Sequence, residues 1–298
     1  MLIDIKQILD ETAGKVEVAL DACFERFSAA RADAPSELLE AMKYSVLGGG
    51  KRIRAFLVLH TAKMFGGDEA AAMPYACALE MLHAYSLIHD DLPCMDDDDI
   101  RRGRPSCHKK FGEAVALLAG DSLLTLAFEI ISTNDKVSDR SARLAAAALS
   151  GLAGYRGMCG GQELDLSEKV SSYEELKYLH SLKTGALIRA AVLLGLYAAD
   201  DAPSDDTVKD LSVYAESIGL AFQIHDDILD VTSDTETLGK PVGSDEKNGK
   251  KTVLSFMGIR DAEEEENRLT LSAVEVLSDY PGSEALSQLA VWLMTREK

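Results

Sequence analysis

Two clusters of aspartates are the residues of this 298-residue chain whose types and spacing could do chemistry. The first is DDLPCMDDDD at Asp90–Asp99 and the second is DDILD at Asp226–Asp230, and each closes an apolar stretch with helical periodicity. Asp226 and Asp230 are four residues apart, so they share one face of a helix. Such carboxylates suit a hard cation such as magnesium, whose remaining positions can take phosphate oxygens. The two clusters therefore indicate a metal-assisted site for a phosphorylated substrate, although either cluster alone also fits a solvated helix end.

The first cluster contains a proline that should divert the chain. Six residues separate Asp90 from Asp96, a spacing that puts the two side chains on different faces of a continuous helix. Pro93 removes a helical hydrogen bond and clashes with the preceding turn, so the helix should end or bulge near residues 92–95. We expect this detour to return Asp96 to the side of Asp90.

Positive charge is concentrated locally, although the chain has a net charge of −19. Two short basic clusters are present: Lys51, Arg52 and Arg54 after the three glycines 48–50, and Arg101, Arg102 and Arg104 after the first aspartate cluster. Glycines let the backbone approach an anion closely, and the planar arginine fork matches pairs of phosphate oxygens. Each basic cluster alone also fits ordinary surface charge. Together with two acidic clusters, they favour a site that binds one diphosphate through side chains and another through metal.

Composition favours a helix-rich protein and argues against several partners. Apolar residues make up 47% of the chain and aromatic residues 6%, with seven prolines. The negative charge argues against binding nucleic acid or an anionic membrane. Five cysteines without CxxC spacing indicate neither a disulfide framework nor a zinc site, which fits a cytoplasmic location. The N-terminus lacks the pattern of a signal peptide, and charges at Asp121 and Glu129 interrupt the most apolar segment, so no membrane span is predicted.

Helical periodicity runs along the whole chain, and we find no convincing alternating strand pattern. The breaks between helical segments are short, so we predict a single domain over residues 1–298. Both aspartate clusters come at helix ends, which suggests that they face each other across a bundle cavity. The stretch Leu238–Lys251 is rich in glycine and charge, and it is interpreted as a lid that carries lysines.

The order of these motifs resembles that of the trans-isoprenyl diphosphate synthases, and most closely that of the bacterial farnesyl diphosphate synthases. The matching segments are GGGKRIRAF at Gly48–Phe56, LIHDDLPCMDDDDIRRGRPSCHKKFG at Leu87–Gly112, AGD at Ala119–Asp121, GMCGGQELDL at Gly157–Leu166, HSLKTGALIRAA at His180–Ala191 and GLAFQIHDDILDVTSDTETLGK at Gly219–Lys240. The resemblance covers nearly the whole chain. It implies an all-α fold of antiparallel helices around a central cavity, usually as a homodimer.

The resemblance also implies roles at the matching positions. Metal ligands would be Asp90, Asp96 and Asp226, supported by Asp91, Asp227 and Asp230, with three magnesium ions per site and manganese left open as a substitute. The allylic diphosphate would contact Arg101, Lys183, Lys240 and Lys250. Isopentenyl diphosphate would contact Gly50, Lys51, Arg54, His83 and Arg102, while Thr184 and Gln223 would lie near the reacting carbons. Without the resemblance, His83 would be interpreted as a core histidine, and helix packing near Gly185 is the alternative for Thr184.

The implied reaction is a magnesium-dependent, head-to-tail prenyl transfer from dimethylallyl or geranyl diphosphate to isopentenyl diphosphate. The allylic C–O bond ionises, the alkene of isopentenyl diphosphate attacks the carbocation, and a proton is lost. Cations neutralise the leaving diphosphate as its charge develops. We hypothesise that this diphosphate accepts the proton, because the sequence shows no dedicated base. Thr184 and Gln223 could stabilise the carbocation with their dipoles, and Lys183 and Arg101 complete the catalytic set.

Product length is predicted from the residues that precede the first cluster. Tyr85 and Ser86 lie about one helical turn before Asp90, so a growing chain that extends from the metals should meet the Tyr85 ring as a floor, while Ser86 leaves room. An aromatic residue at this position, together with the two-residue-longer first motif, resembles the bacterial farnesyl diphosphate synthases, and this resemblance implies (2E,6E)-farnesyl diphosphate as product. Simple packing of Tyr85 between helices is the alternative, and a geranylgeranyl diphosphate synthase is the competing enzyme. A class I terpene cyclase or a non-catalytic prenyl diphosphate-binding subunit fits less well, because two basic clusters and both aspartate clusters are present.

Overall fold

The computed structural model describes residues 4–30, 36–167, 169–232 and 251–296. Within these ranges the regular structure is almost entirely helical, which confirms the all-α fold class. The helices are α1 (Ile5–Ala30), α2 (Ser36–Val46), α3 (Ile53–Met64), α4 (Glu69–Asp90), α5 (Cys107–Phe111), α6 (Glu113–Ser132), α7 (Asp139–Ala153), α8 (Met158–Leu166), α9 (Tyr173–His180), a π-helix (Ser181–Gly185), α10 (Ala186–Ala199), α11 (Asp205–Thr232), a 3-10 turn (Val253–Ser255), α12 (Ile259–Val276) and α13 (Glu284–Leu293).

The chain folds into two compact units. The N-terminal unit consists of Lys6–Ala146 and Leu194–Asp201, and the C-terminal unit consists of Ala147–Leu193 and Ala202–Lys298 together with the first five residues. The single domain over residues 1–298 and the cavity between the two aspartate clusters stay predictions.

Helix α4 is the central element of the N-terminal unit. It packs against α3 and α6, and Tyr75, Leu79 and Leu82 on it are completely buried. Its first turn is capped by Asp68, whose side chain accepts a hydrogen bond from the Ala70 amide at 3.0 Å. Burying each such large apolar side chain stabilises the fold by roughly 1.5–3 kcal/mol. Burial therefore fixes α4 up to Asp90, where the first aspartate cluster begins.

Helix α11 has the corresponding position in the C-terminal unit. It packs against α12, α9 and the π-helix. Its apolar side forms a core with neighbouring elements that consists of Leu176, Ala221, Ile224, Ile228, Val253, Ala262 and Leu269. This packing holds the last turns of α11, which carry the second aspartate cluster.

A small hairpin follows the first aspartate cluster, and the sequence did not predict it. Strand β1 (Ile100–Arg101) pairs antiparallel with β2 (Arg104–Pro105). Arg102 and Gly103 at its turn have φ angles of 53° and 71°, the positive values that a type I′ turn requires. Strands of two residues are too short to show alternation, so the periodicity of the sequence could not reveal them. The hairpin projects Arg101 and Arg102 from one rigid support.

Two segments are long and apolar enough to cross a membrane on length and composition alone. They are Glu113–Ser132, with 39% of the apolar window buried, and Tyr173–Ala199, with 67% buried. Core helices of water-soluble proteins pass the same test, so this criterion carries little weight. The five cysteines are free thiols.

Candidate active site

The first aspartate cluster bends back on itself directly after α4. The helix ends at Asp90, and the backbone N–H of Asp96 donates a hydrogen bond to the carbonyl oxygen of Asp90 at 2.9 Å. The backbone of Asp96 therefore returns to that of Asp90, as the detour at Pro93 predicts. Both side chains are half-buried. They present oxygen donors only, which is the donor set that suits a hard divalent cation.

Asp91 is turned away from solvent and holds Arg101. Its side chain is 2% exposed, and its Oδ1 accepts hydrogen bonds from Nε and Nη2 of Arg101 at 2.9 and 2.5 Å. Nη2 of Arg101 also reaches Asp98 at 3.0 Å. Burial raises the pKa of Asp91, and the hydrogen bond from Arg101 opposes this rise. Asp91 thus orients Arg101, and its predicted role in supporting the metal ions stays a prediction.

A group of basic side chains, Arg54, His83 and Arg102, lies in the same unit. Nη1 of Arg54 is 3.3 Å from Nε2 of His83, while Nε of Arg54 and Nδ1 of His83 are buried and have no hydrogen-bond partner among the residues that the structure describes. Arg102 donates a hydrogen bond to the carbonyl oxygen of Gly49. Burial lowers the pKa of Arg54, with Glu80 opposing this fall and Arg102 adding to it. Burial and the neighbouring arginines lower the pKa of His83. Buried N–H donors that lack a partner make this group a candidate binding site for an anion.

The glycine turn lets Arg102 approach the backbone. Gly50 has a φ of 124°, and a Cβ added there would lie 3.4 Å from Cζ of Arg102. Lys51 next to it is exposed. The predicted residues Gly50, Lys51, Arg54, His83 and Arg102 all belong to the N-terminal unit.

Arg52 is a supporting residue that the sequence did not single out. It is 4% exposed and has a left-handed φ of 50°. Its guanidinium donates to Glu17 at 2.9 Å through Nε, to Glu80 at 2.9 Å and to the carbonyl oxygen of Val46. These partners lie on distant segments, so nothing in the local pattern GGGKR distinguishes Arg52 from Arg54. Arg52 anchors the glycine turn, whereas Nε of Arg54 has no partner among the described residues.

Lys183 and Thr184 lie on the π-helix of the C-terminal unit. Nζ of Lys183 forms an ion pair with Asp165 at 2.5 Å. The hydroxyl of Thr184 donates a hydrogen bond to Oε1 of Gln223 at 3.2 Å. The predicted pair of Thr184 and Gln223 is thus brought together, although 39 residues separate the two in sequence.

Close packing of backbone supports this π-helix. A Cβ on Gly161 of α8 would lie 2.2 Å from the amide nitrogen of Lys183, and a Cβ on Gly219 of α11 would lie 3.2 Å from Cα of Gly185. No side chain fits at Gly161, so α8 and the π-helix touch through their backbones. A π-turn inside a helix is frequently found at a functional site.

The second aspartate cluster is already engaged by neighbours within its unit. Asp226 forms an ion pair with Arg296, and Oδ2 of Asp227 accepts a hydrogen bond from the Val253 amide at 2.6 Å. Asp230 is 3% exposed, whereas the side chain of Asp226 is 43% exposed. Since α11 is continuous to Thr232, Asp226 and Asp230 share one helix face. Asp226 is therefore the more accessible carboxylate for a cation.

Tyr85 lies in α4, near the C-terminal end of that helix. It is 8% exposed, and its ring meets the ring of His89 edge-on, with centroids 5.1 Å apart. His89 lies close to α6, because its Nε2 is 3.1 Å from the carbonyl oxygen of Leu117 and a Cβ on Gly120 would lie 2.1 Å from it. Ser86 donates its hydroxyl hydrogen to the carbonyl oxygen of His83 at 2.9 Å. Tyr85 thus has a fixed position about one turn before Asp90.

Comparison with known proteins identifies the family. The family model described as polyprenyl synthetase matches residues 35–282. The chain belongs to this family. It is 46% identical to the farnesyl diphosphate synthase of Escherichia coli strain K12, over 93% of this chain and 98% of that protein. It is 43% identical to a chloroplastic geranylgeranyl pyrophosphate synthase of Catharanthus roseus, over 86% of this chain and 72% of that protein.

A solved structure of the same fold is similar as well. The geranylgeranyl pyrophosphate synthetase of Pyrococcus horikoshii superimposes with a TM-score of 0.87 at 31% identity, over 98% of this chain and 99% of that one. The two remaining predicted ligands, Lys240 and Lys250, lie outside the described residues, as does most of the predicted lid. Their roles stay predictions.

Proposed function

We propose that this member of the polyprenyl synthetase family is a prenyltransferase that condenses isopentenyl diphosphate with dimethylallyl or geranyl diphosphate to give (2E,6E)-farnesyl diphosphate. One observation carries the proposal: the buried, unpaired donors of Arg54 and His83 occur in the same unit as the half-buried carboxylates Asp90 and Asp96. The first group suits a bare diphosphate and the second suits a diphosphate bound through metal. A prenyltransferase needs both kinds of site, because it holds two diphosphates at once.

Isopentenyl diphosphate would bind to the group formed by Arg54, His83 and Arg102. Arg54 and His83 offer N–H donors that are already desolvated, so an anion satisfies them without a further desolvation cost. Arg102 adds positive charge, and so does the exposed side chain of Lys51. The positive φ at Gly50 keeps the backbone free of a side chain here.

The allylic diphosphate would bind through magnesium, with three ions as the expected number and manganese as a possible substitute. Asp90, Asp96 and Asp226 would hold the ions directly, and Asp91, Asp227 and Asp230 would support them. When bound, the ions neutralise charge that develops on the leaving diphosphate. Arg101, Lys183, Lys240 and Lys250 would contact the same diphosphate. Arg101 is suited to this because Asp91 orients it, and Lys183 because Asp165 holds its ammonium group.

Carbon–carbon bond formation would take place beside Thr184 and Gln223. Because the Thr184 hydroxyl donates to Oε1 of Gln223, the hydroxyl oxygen is left with lone pairs that can face a carbocation. Fixed dipoles stabilise a developing charge without reorganising during the reaction. The departing diphosphate would then accept the proton lost from the adduct.

The product is proposed to be farnesyl diphosphate because the Tyr85 ring, 8% exposed about one turn before Asp90, would stop a chain that grows past it. Geranylgeranyl diphosphate is the second candidate, since geranylgeranyl pyrophosphate synthases are also similar to the chain. The protein is further proposed to be cytoplasmic and to form a homodimer. Sedimentation of the purified chain would test the homodimer.

The decisive assay supplies isopentenyl diphosphate with either dimethylallyl or geranyl diphosphate and magnesium, then identifies the dephosphorylated products by chromatography. Farnesol as the main product supports the proposal, and geranylgeraniol supports the second candidate. A cyclic terpene, or no elongated product from any starter, would overturn both. A parallel reaction with excess chelator must lose activity.

A further inference from the structure

A second group of possible metal ligands lies at the end of the first aspartate cluster. Asp97, Asp99 and His108 each offer one donor atom, and the three atoms lie within 4.8 Å of one another. Asp97 belongs to the loop after α4, Asp99 precedes β1, and His108 lies in α5 after the hairpin. The donors therefore come from both sides of the hairpin that carries Arg101 and Arg102. None of them belongs to the predicted magnesium set.

His108 distinguishes this group from a solvated acidic loop. Its side chain is only 3% exposed, and its Nε2 has no hydrogen-bond partner within the described part of the chain. Oδ1 of Asp97 is the carboxylate oxygen that faces it, at 3.9 Å, which is too long for a hydrogen bond. A buried ring nitrogen without a partner is costly. A ligand between His108 and the two carboxylates removes that cost.

We propose that Asp97, Asp99 and His108 bind one divalent transition-metal ion, of the class of Zn²⁺ or Mn²⁺. An imidazole with two carboxylates is a donor set for such ions, whereas magnesium prefers oxygen ligands and water. Three protein ligands leave a coordination position for water. The site is thus distinct in chemistry from the oxygen-only carboxylates Asp90 and Asp96.

The geometry needs only side-chain rotation to close around an ion. Metal–ligand bonds of about 2.0–2.2 Å place neighbouring donor atoms about 3.3 Å apart. The side chains of Asp97 and Asp99 are 59% and 71% exposed, so they can turn inward without disturbing the core. Nδ1 of His108 lies 3.1 Å from Oγ of Ser106. A hydrogen bond from Nδ1–H to that oxygen leaves Nε2 unprotonated for the metal, which is the usual support for a ligating histidine.

Such an ion fastens the base of the hairpin. The Ser106 amide already donates to the carbonyl oxygen of Asp99 at 2.9 Å. An ion shared by Asp97, Asp99 and His108 adds a second link between the same segments, and so it stabilises the support of Arg101 and Arg102. Lys109 is the competitor, because its Nζ lies 2.7 Å from Oδ1 of Asp99.

The test titrates zinc into the full chain in excess magnesium, by calorimetry. Magnesium keeps the oxygen-only carboxylates occupied, so the measured ion reports on the mixed site. We expect a single zinc ion per chain, and binding weakened about tenfold or more in Asp97→Asn, Asp99→Asn and His108→Gln. Asp98→Asn is the matched control, because the Asp98 carboxylate pairs with Arg101 instead, and its zinc affinity should equal that of the parent chain. Lys109→Gln should bind zinc at least as tightly as the parent.

A spectroscopic readout identifies the histidine. Electron spin-echo modulation of bound Mn²⁺ shows coupling to nitrogen when an imidazole is a ligand, and oxygen-only sites give none. The coupling should be present in the parent chain and absent in His108→Gln. Because that variant changes a buried side chain, Asp97→Asn and Asp99→Asn at exposed positions decide the question independently of folding. Equal zinc binding by these two variants and the parent, or no nitrogen coupling in the parent, would overturn the proposal.

Discussion

Nη1 of Arg54 lies 3.3 Å from Nε2 of His83, inside the N-terminal unit. A guanidinium is always a donor, so Nε2 must accept and the imidazole must be neutral, with its hydrogen on Nδ1. Burial and the neighbouring arginines lower the pKa of His83 well below its ordinary value, which agrees with this tautomer. The pair therefore presents two unsatisfied N–H donors, Nε of Arg54 and Nδ1 of His83, to an incoming anion.

Replacing Arg54 should selectively weaken the binding of isopentenyl diphosphate. Hydrogen bonds to a charged group contribute about 1.5–3 kcal/mol, so Arg54→Met should raise the KM for isopentenyl diphosphate about 10- to 100-fold. The KM for the allylic diphosphate should change little. Steady-state kinetics with each substrate varied in turn measure both values. Arg260→Met, at a side chain that is 88% exposed, is the control. An equal rise in both KM values would contradict the assignment.

Shortening Tyr85 should lengthen the product. The ring packs against His89 one turn before Asp90, and Tyr85→Ala removes that volume while the helix backbone stays in place. We expect part of the product to shift from farnesyl to geranylgeranyl diphosphate, as measured by chromatography of the dephosphorylated chains. Tyr155→Ala, at an 83% exposed ring, should keep the parent product. If Tyr85→Ala still stops at farnesyl diphosphate, Tyr85 is not the floor.

A methyl group at Gly161 should displace the π-helix. Its carbon would lie 2.2 Å from the amide nitrogen of Lys183, so α8 or the π-helix must move. Gly161→Ala should lower kcat at least about tenfold, because displacements on the scale of 1 Å are costly for catalysis. Gly151→Ala in α7 is the matched control, since open space surrounds that position and the change should stabilise the helix by roughly 0.5–1 kcal/mol. A folded Gly161→Ala variant with the parent kcat would refute this role.

Removing Arg296 should reduce the magnesium requirement. Its guanidinium pairs with Asp226, so a cation that binds Asp226 has to compete with it. For a partly exposed pair worth up to about 1 kcal/mol, Arg296→Gln should lower the magnesium concentration for half-maximal activity about two- to fivefold. The measurement is a magnesium titration at saturating substrates. Arg268→Gln breaks an ion pair with Glu265 in the same unit and should leave the titration unchanged. A higher magnesium requirement in Arg296→Gln would contradict competition.

His60 should make the fold less stable in acid. Its ring stacks on Phe56, and burial lowers its pKa to about 4 from an ordinary 6.5. Between these values the unfolded chain binds a proton that the folded chain does not. The contribution of neutral His60 to the free energy of unfolding is therefore complete above pH 6.5 and is lost as the pH falls towards 4. Because the side chain is half-buried, we expect a loss on the order of 1–2 kcal/mol.

Denaturant unfolding at a series of pH values measures this loss. His60→Phe keeps a ring against Phe56 and removes the titrating group. It should therefore flatten the pH dependence in the same window. A variant that loses stability as steeply as the parent chain would show that other groups are responsible.

Much of the site could be predicted from the local sequence. The turn after α4 follows from Pro93, and the hydrogen bond between Asp96 and Asp90 confirms that the cluster folds back. The helical class follows from periodicity and composition. These features depend on interactions between residues close in the chain, so short windows of sequence contain the information they need.

Partners that are distant in sequence were not predictable in this way. Arg52 and Arg54 look equivalent in GGGKR, yet Arg52 is neutralised by Glu17 and Glu80, whereas Arg54 faces His83. The hairpin at Arg101–Arg104 was also missed, because its strands hold two residues each.

The amino-acid sequence by itself determined which chemistry the chain carries: two oxygen-rich clusters for a hard cation and two basic clusters for diphosphate. Only the tertiary structure decided which of these polar groups remain available to bind a ligand. Asp91 is paired with Arg101, and Arg52 with two glutamates, while Arg54, His83 and His108 each keep a nitrogen without a partner in the part of the chain that the structure describes. The physical reason is that residue type sets what a group can bind. Burial and pairing depend on which distant segments the fold brings together.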